Sequence, residues 1–252
     1  MTVDRHLNWD GCFNARDLGG LRTADGRQTR WGALVWSDQP YRLTAAGWSA
    51  VEAHGIRTII DLQGNDQRQP DAEPRPAGLV TVHLPLEDYA DTAFWEQWGA
   101  SSGLWATPLY YRAFLSRFPE RCAAVVAAVA QAVPGGVLFH CGLGRDRTGL
   151  IALLLLALVG VAPDDIASDY ELRTDRLRRR FSTLGEDDQG PRIQELLTRA
   201  NTSARAAILD TLASLDVDAC LRAAGLSDND LDAVRARLLE RPPGTAAGRE
   251  VL

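Results

Sequence analysis

The run His140-Cys-Gly-Leu-Gly-Arg-Asp-Arg-Thr-Gly-Leu150 concentrates more reactive side chains than any other stretch of the chain. Five residues separate Cys141 from Arg147. A loop of that length, curled ahead of a helix, turns successive backbone N–H groups inward and forms a cradle for a tetrahedral dianion. Gly142 and Gly144 allow backbone conformations and close approaches that bulkier residues would hinder, and Leu143 and Arg145 complete the cradle. The same dipole and donors draw the pKa of a thiol at the loop's base below its reference of about 8.5, which makes Cys141 a candidate nucleophile. Arg147 offers a planar fork that can hold two phosphoryl oxygens, where lysine would act as a point charge. Thr148 places a hydroxyl beside the sulfur, steadying the thiolate and easing its departure. The bland alternative, a buried structural cysteine beside a surface arginine, is disfavoured: a cation in the first turn of an apolar helix opposes the helix dipole unless an anion sits there. The run also lacks the Gly-Lys-Ser/Thr ending of a nucleotide-binding loop, which argues against a kinase or ATPase.

A leaving oxygen needs a proton donor, and three carboxylates qualify by position. Asp146 lies inside the loop. Asp88 follows a strand ending at Leu84, and its neighbours Glu87 and Asp91 could substitute for it. Asp61 stands at the carboxyl end of another strand, where a capping role is equally consistent. His140 suits holding the loop backbone by hydrogen bonds better than acid/base work. Asn14, Arg16 and Asp17 lie before paired glycines, where Arg16 and Asp17 would fix a turn. Arg173 to Arg180 form a basic stretch that reads first as a solvated helix face and otherwise as an attractor for an acidic phosphopeptide or an inositide headgroup.

The elements around these residues read as an α/β pattern. Gly32 to Trp36, Arg57 to Leu62, Leu79 to Leu84 and Val137 to His140 are short apolar runs bounded by Gly and Pro, as buried parallel strands are. Thr23-Ala-Asp-Gly26 marks a hairpin turn flanked by short strands. Thr44 caps a helix that runs to about Ala53, and Leu109 to Val133 has the spacing of one continuous helix. Glu87 to Thr107, with Trp95, Trp98 and Trp105, reads as a loop or lid with short helical pieces. From Pro163 onward the chain is helical, broken by the polar Glu186-to-Pro191 stretch, with Ser227 capping a late helix and Arg241 to Leu252 as a frayed tail. The reactive run thus falls between a strand and a buried helix, where α/β sheets bind ligands.

Composition narrows the function classes. With 46% hydrophobic and 24% charged residues, the chain can build a sizeable core. The net charge of −6 supplies no global field for nucleic acid or anionic membrane, so any anion site must be local. Cys12, Cys122, Cys141 and Cys220 are far apart, without a CxxC pair, and read as free thiols rather than a zinc site or disulfide frame. Cys12 is a candidate resolving thiol for an oxidised Cys141. The apolar run Leu150 to Val161 is about half the roughly 20 residues needed to cross a bilayer, and the charged N-terminus is unlike a secretory signal. The expectation is a cytoplasmic protein with no stable membrane insertion, no metal and no organic cofactor. Oligomeric state is left open.

The reactive run resembles the HCxxGxxRTG signature of the protein tyrosine phosphatase superfamily. The whole chain resembles the bacterial tyrosine phosphatases related to secreted mycobacterial phosphatases of dual protein and lipid activity. The N-x-R-D-x-G-G motif of that family is matched by Asn14, Arg16, Asp17, Gly19 and Gly20, and the D-L of a second motif by Asp61-Leu62, where Gln63 replaces the usual arginine. Arg145 stands where the family has lysine, and Trp36-Ser-Asp38 where it has Arg-Ser-Asp.

The resemblance implies a central, mostly parallel sheet flanked by helices, in a single phosphatase domain over residues 1–252, with about 186–240 as a helical appendage. It also implies that the Asn14-to-Asp17 segment braces the phosphate loop. Substrates would be phosphorylated proteins or phosphoinositides, and export without a signal stays open. An Asp-Arg-Thr loop resembles that of myotubularin-type lipid phosphatases, whose in-loop aspartate is a proposed proton donor, which favours Asp146. Two rivals remain: a rhodanese-like sulfurtransferase, disfavoured by His140 and Thr148-Gly149, and a non-catalytic phosphate-binding module.

Overall fold

The structure, a computed structural model, describes residues 4–240; the expected tail from Arg241 lies outside the described residues. The chain opens with β1 (His6–Leu7), β2 (Ala15–Asp17) and β3 (Leu34–Ser37), then α1 (Ala45–Ala53), β4 (Ile56–Asp61) and β5 (Val80–His83). Next come α2 (Thr92–Trp98), α3 (Tyr111–Arg117), α4 (Pro119–Gln131) and β6 (Gly136–His140). The rest is helical: α5 (Asp146–Leu158), α6 (Pro163–Glu171), α7 (Arg173–Leu184), α8 (Gly190–Arg199), α9 (Ala204–Ala213), α10 (Val217–Ala223) and α11 (Asp228–Leu238).

The six strands form one sheet in the order β1-β2-β3-β6-β4-β5. β3, β6, β4 and β5 run parallel, and the two short N-terminal strands add antiparallel. The central strands β3, β6 and β4 are largely apolar because both of their faces are covered. Val35, Ile59 and Leu138 pack on one side with Trp9, Trp48 and Val51, while Trp36, Ile60 and Phe139 face the larger cluster on the other side. That larger cluster takes in α5, whose residues are buried nearly all round, together with Ile208, Val217, Leu221, Val234 and Leu238 from the late helices.

Three sequence expectations change. The helix over Leu109 to Val133 is two helices. Phe118 leaves helical geometry (φ −132°, ψ 45°) and Pro119 starts α4, because a residue before proline is pushed out of the α region. The Thr23-to-Gly26 turn closes on one bridge, Arg22 to Gln28, rather than on flanking strands. The basic stretch of α7 is not a single solvated face either: Arg173 and Arg180 are buried, Arg180 pairs with Glu186, and Arg176 donates to the Phe13 carbonyl (2.6 Å) and to Asn8. No helix among the described residues is long and apolar enough to cross a membrane.

One ion cluster ties α6 to the sheet. The Arg16 guanidinium donates to both carboxylate oxygens of Asp169 (2.8 to 3.2 Å), and Arg5 adds a contact of 2.7 Å. Arg16 and Asp169 are 0% and 1% exposed, so neither charge has water to fall back on. Asp169→Ala, which strands two guanidinium groups, should therefore cost about 3–5 kcal/mol. For a chain of this size that lowers the melting midpoint by roughly 10 °C, read by circular dichroism. A midpoint within about 2 °C of wild type would show that the cluster is not what docks α6.

Candidate active site

The register aligns Ser37, His140 and Asp61 in one row at the carboxyl edge of the sheet, with His83 beside Asp61. The segments leaving these strands therefore emerge side by side: Asp38 and Gln39, the loop from Cys141, Leu62 and Gln63, and Leu84 to Glu87. Sequence-distant residues meet here for that reason.

Within the loop, each carbonyl is held from outside. Gly142 O accepts from Gln39 N (3.2 Å), and Leu143 O from Asn14 Nδ2 (3.0 Å). Gly144 O accepts from both Asn14 Nδ2 and Trp36 Nε1, each at 2.7 Å. Arg145 O takes the Gly149 amide (3.0 Å) and Asp146 O takes the Tyr111 hydroxyl (2.7 Å). In a trans peptide the N–H points opposite to the C=O, and no described peptide is cis. Outward carbonyls at 142, 143 and 144 thus turn the amides of Leu143, Gly144 and Arg145 inward.

Asn14 is itself fixed by Asp38, whose carboxylate accepts the amides of Phe13 (3.2 Å) and Asn14 (2.9 Å). Only one of the loop's two glycines is sterically required. Gly144 has φ +58°, and a Cβ there would lie 2.5 Å from Ser37 O; a Cβ at Gly142 would meet only the Gln63 amide at 3.9 Å.

Cys141 begins this loop, 3% exposed, and Arg147 ends it in the first turn of α5. The Arg147 Nη1 donates to Gln67 Oε1 (2.6 Å) and lies 3.5 Å from Glu87 Oε2. Burial works against its charge, but Glu87 and Cys141 more than offset this and keep the guanidinium ionised. Burial pushes the Glu87 carboxyl up, with Arg147 pulling the other way, and the Tyr89 hydroxyl donates to Glu87 at 2.6 Å. Asp146 accepts from Arg145 Nε (2.9 Å) through one oxygen; its Oδ1 is buried with no partner among the described residues, as is the Thr148 hydroxyl.

The other candidates sit apart from the loop or are committed elsewhere. Asp61 accepts from Arg68 (3.0 Å) and from the Gln63 amide (3.0 Å). Asp88 accepts from Arg121 (2.5 Å), and Asp91 caps α2. Arg16 reaches the loop only through Trp36, and Asp17 fixes the turn at Gly19 and Gly32 while bonding His54. The Cys12 thiol donates to Asp38 (2.8 Å), and burial together with that carboxylate's charge holds it protonated. Its place is in the bracing under Asn14. All four cysteines are free. Among the described residues, no three His, Cys, Asp or Glu side chains group as a metal ion would need.

Sequence reasoning missed Gln39, Gln67 and Tyr111 as site residues and gave Glu87 only as a stand-in for its neighbour. Gln67 ends a single 3₁₀ turn and Gln39 precedes another, segments too short to show a periodicity, so no pattern flagged them. Beside the loop, Arg145 also lines a cleft of about 480 Å³ between α7, α8 and α9.

Known proteins resemble this chain along most of its length. The profile described as the tyrosine phosphatase family matches residues 7–240. A protein of Cupriavidus necator named as a tyrosine-protein phosphatase is 35% identical over 175 residues, 66% of this chain and 62% of the relative. The triple specificity protein phosphatase PtpB of Mycobacterium tuberculosis is 31% identical over 205 residues, covering 69% of this chain and 72% of its own length. A tyrosine-protein phosphatase of Nostoc commune is 28% identical over 218 residues, 78% and 71% of the two chains. The match thus spans less than two thirds of the Cupriavidus protein.

His140, 1% exposed, yields a pH signature. Burial pushes its pKa down to about 4, against the pull of Asp61, whose Oδ1 lies 3.9 Å from Nε2. In the unfolded chain the imidazole titrates near 6.5, so the folded state resists a proton that the unfolded state accepts. The stability this neutral imidazole confers is full above pH 6.5 and drains as pH falls toward 4. Chemical denaturation across this window should show wild type losing on the order of 3 kcal/mol more than His140→Gln. Parallel curves for the two proteins would refute the neutral, buried assignment.

Proposed function

The chain belongs to the tyrosine phosphatase family, and from that premise we propose that it hydrolyses phosphomonoesters through a cysteinyl-phosphate. The observation that carries this reading is the outward fixing of the Gly142, Leu143 and Gly144 carbonyls, which aims three consecutive amides into the concave side of the loop between Cys141 and Arg147. That arrangement suits three phosphoryl oxygens, and it serves the transition state without reorganising.

In this mechanism the Cys141 thiolate attacks phosphorus in line while Arg147 and the loop amides hold the equatorial oxygens. The P–O bond to the leaving group breaks as Asp146 gives that oxygen its proton. Water then attacks the cysteinyl-phosphate, the S–P bond breaks, and Asp146 recovers a proton from the water. The products are inorganic phosphate and the starting thiolate. The fixed guanidinium and amides supply the charge stabilisation, so the mechanism calls on no metal or organic cofactor. Asp146 is favoured as donor because Arg145 holds only one of its oxygens and its Oδ1 is buried and uncommitted, while both carboxylate oxygens of Asp61 and of Asp88 are engaged.

Phosphotyrosine proteins are the expected substrates, with phosphoserine, phosphothreonine or phosphoinositides in addition. The name of the mycobacterial relative supports the wider range. So does the cleft beside the loop, which combines the buried guanidinium groups of Arg145 and Arg173 with Leu177, Phe181 and Leu197, a lining suited to a substrate larger than phosphate.

Two variants test the assignment. Cys141→Ser should abolish turnover of p-nitrophenyl phosphate yet still bind phosphate, since the cradle and Arg147 persist; steady turnover would remove Cys141 from its role. Asp146→Asn should lose about 10²- to 10⁴-fold on an alkyl phosphate and far less on p-nitrophenyl phosphate, whose leaving group needs no proton. Equal slowing of both substrates would mean that another group, Glu87 first, is the acid.

A further inference from the structure

We propose that Trp36 is a positioning residue of the phosphate loop, acting through the peptide group shared by Gly144 and Arg145. This rests on reading the loop as an anion cradle. The Gly144 carbonyl has two donors, Asn14 Nδ2 and Trp36 Nε1, both at 2.7 Å. Asn14 alone would satisfy it. A second donor further polarises the peptide and makes the Arg145 N–H on its far side a stronger donor to whatever anion lies in the loop.

The indole is held too firmly to be mere filling. Trp36 is 1% exposed, and the Arg16 guanidinium carbon stacks 3.6 Å from its ring centroid. The Tyr170 ring meets the indole edge to face at 6.3 Å. Arg16 in turn cannot swing away, being bidentate on Asp169 of α6. Both clamps on the ring thus come from groups anchored at α6, and the only polar atom of the side chain points at the loop. The flanking β3 residues Leu34 and Val35 fill the core with no such directed group. Hence the chain Asp169, Arg16, Trp36, Gly144 O links the α6 docking cluster to one peptide of the cradle.

Trp36→Phe keeps an aromatic ring for Arg16 to stack on and deletes the N–H together with the pyrrole part of the indole. We expect inorganic phosphate to inhibit this variant about 3- to 10-fold more weakly than wild type, the size of one hydrogen bond. The pH midpoint for iodoacetate alkylation of Cys141 should rise as the cradle weakens. Because either donor can hold the carbonyl, Trp36→Phe combined with Asn14→Ser should lose more phosphate affinity than the product of the single losses. A general packing defect would instead lower the melting temperature and leave the alkylation midpoint in place.

Unchanged phosphate inhibition and an unchanged midpoint in folded Trp36→Phe would overturn the proposal while leaving the phosphatase reading intact. Absence of phosphate binding by wild type would remove both. If Trp36→Phe does not fold, replacing the Trp36 indole with isosteric benzothiophene, which lacks only the N–H, carries the same expectations.

Discussion

A peptide group has a donor end and an acceptor end fixed in opposite directions, and the architecture of this chain around residues 141–147 is an answer to that constraint. For three amides to face one point, three carbonyls must face away, and a buried carbonyl without a donor is expensive. The donors come from far upstream in sequence: Asn14 before β2, Trp36 on β3 and Gln39 just beyond it. The β2-β3 portion of the sheet is placed where it can supply them, because β3 pairs directly with β6. The antiparallel N-terminal strands are thus part of the loop's scaffold.

Charge is distributed to the same end. The site contains Arg145, Arg147, Asp146 and Glu87, all at most 6% exposed. Each cation has an adjacent carboxylate, Asp146 for Arg145 and Glu87 for Arg147, at 2.9 and 3.5 Å. Pairs of this kind break even at best for stability, and their value lies in holding side chains in one geometry. Away from the loop, Arg16 and Asp169 follow the same logic between sheet and α6.

Much of this was legible in sequence, and the reason differs by residue. The loop could be read because its types and spacing are short-range: Cys141, Gly144 and Arg147 are fixed by local geometry. The parallel strands could be read from apolar runs that two-sided burial requires. Asn14 was legible as part of a motif, but the two carbonyls it serves could not be inferred, since they lie 129 and 130 residues away. The continuous helix over Leu109 to Val133 failed because apolar spacing continues across Phe118-Pro119 while backbone sterics do not. Glu87 and Gln67 were obscured for another reason: their positions are set by contact with Arg147, and nothing in a loop or a single 3₁₀ turn announces a tertiary partner.

The hydrogen bond from Arg147 to Gln67 has a kinetic meaning. One terminal nitrogen of the guanidinium is already engaged by a protein amide oxygen, so on the proposed reading of the site an anion would exchange one partner for another and would not find a bare cation. Such an internal competitor subtracts from the affinity of every anion alike, whether arriving ester or departing phosphate. It also lowers the barrier to departure, because the arginine need not be left unpaired in a buried site as the anion leaves. On the proposed function, Gln67 would thereby favour release over tightness of grip.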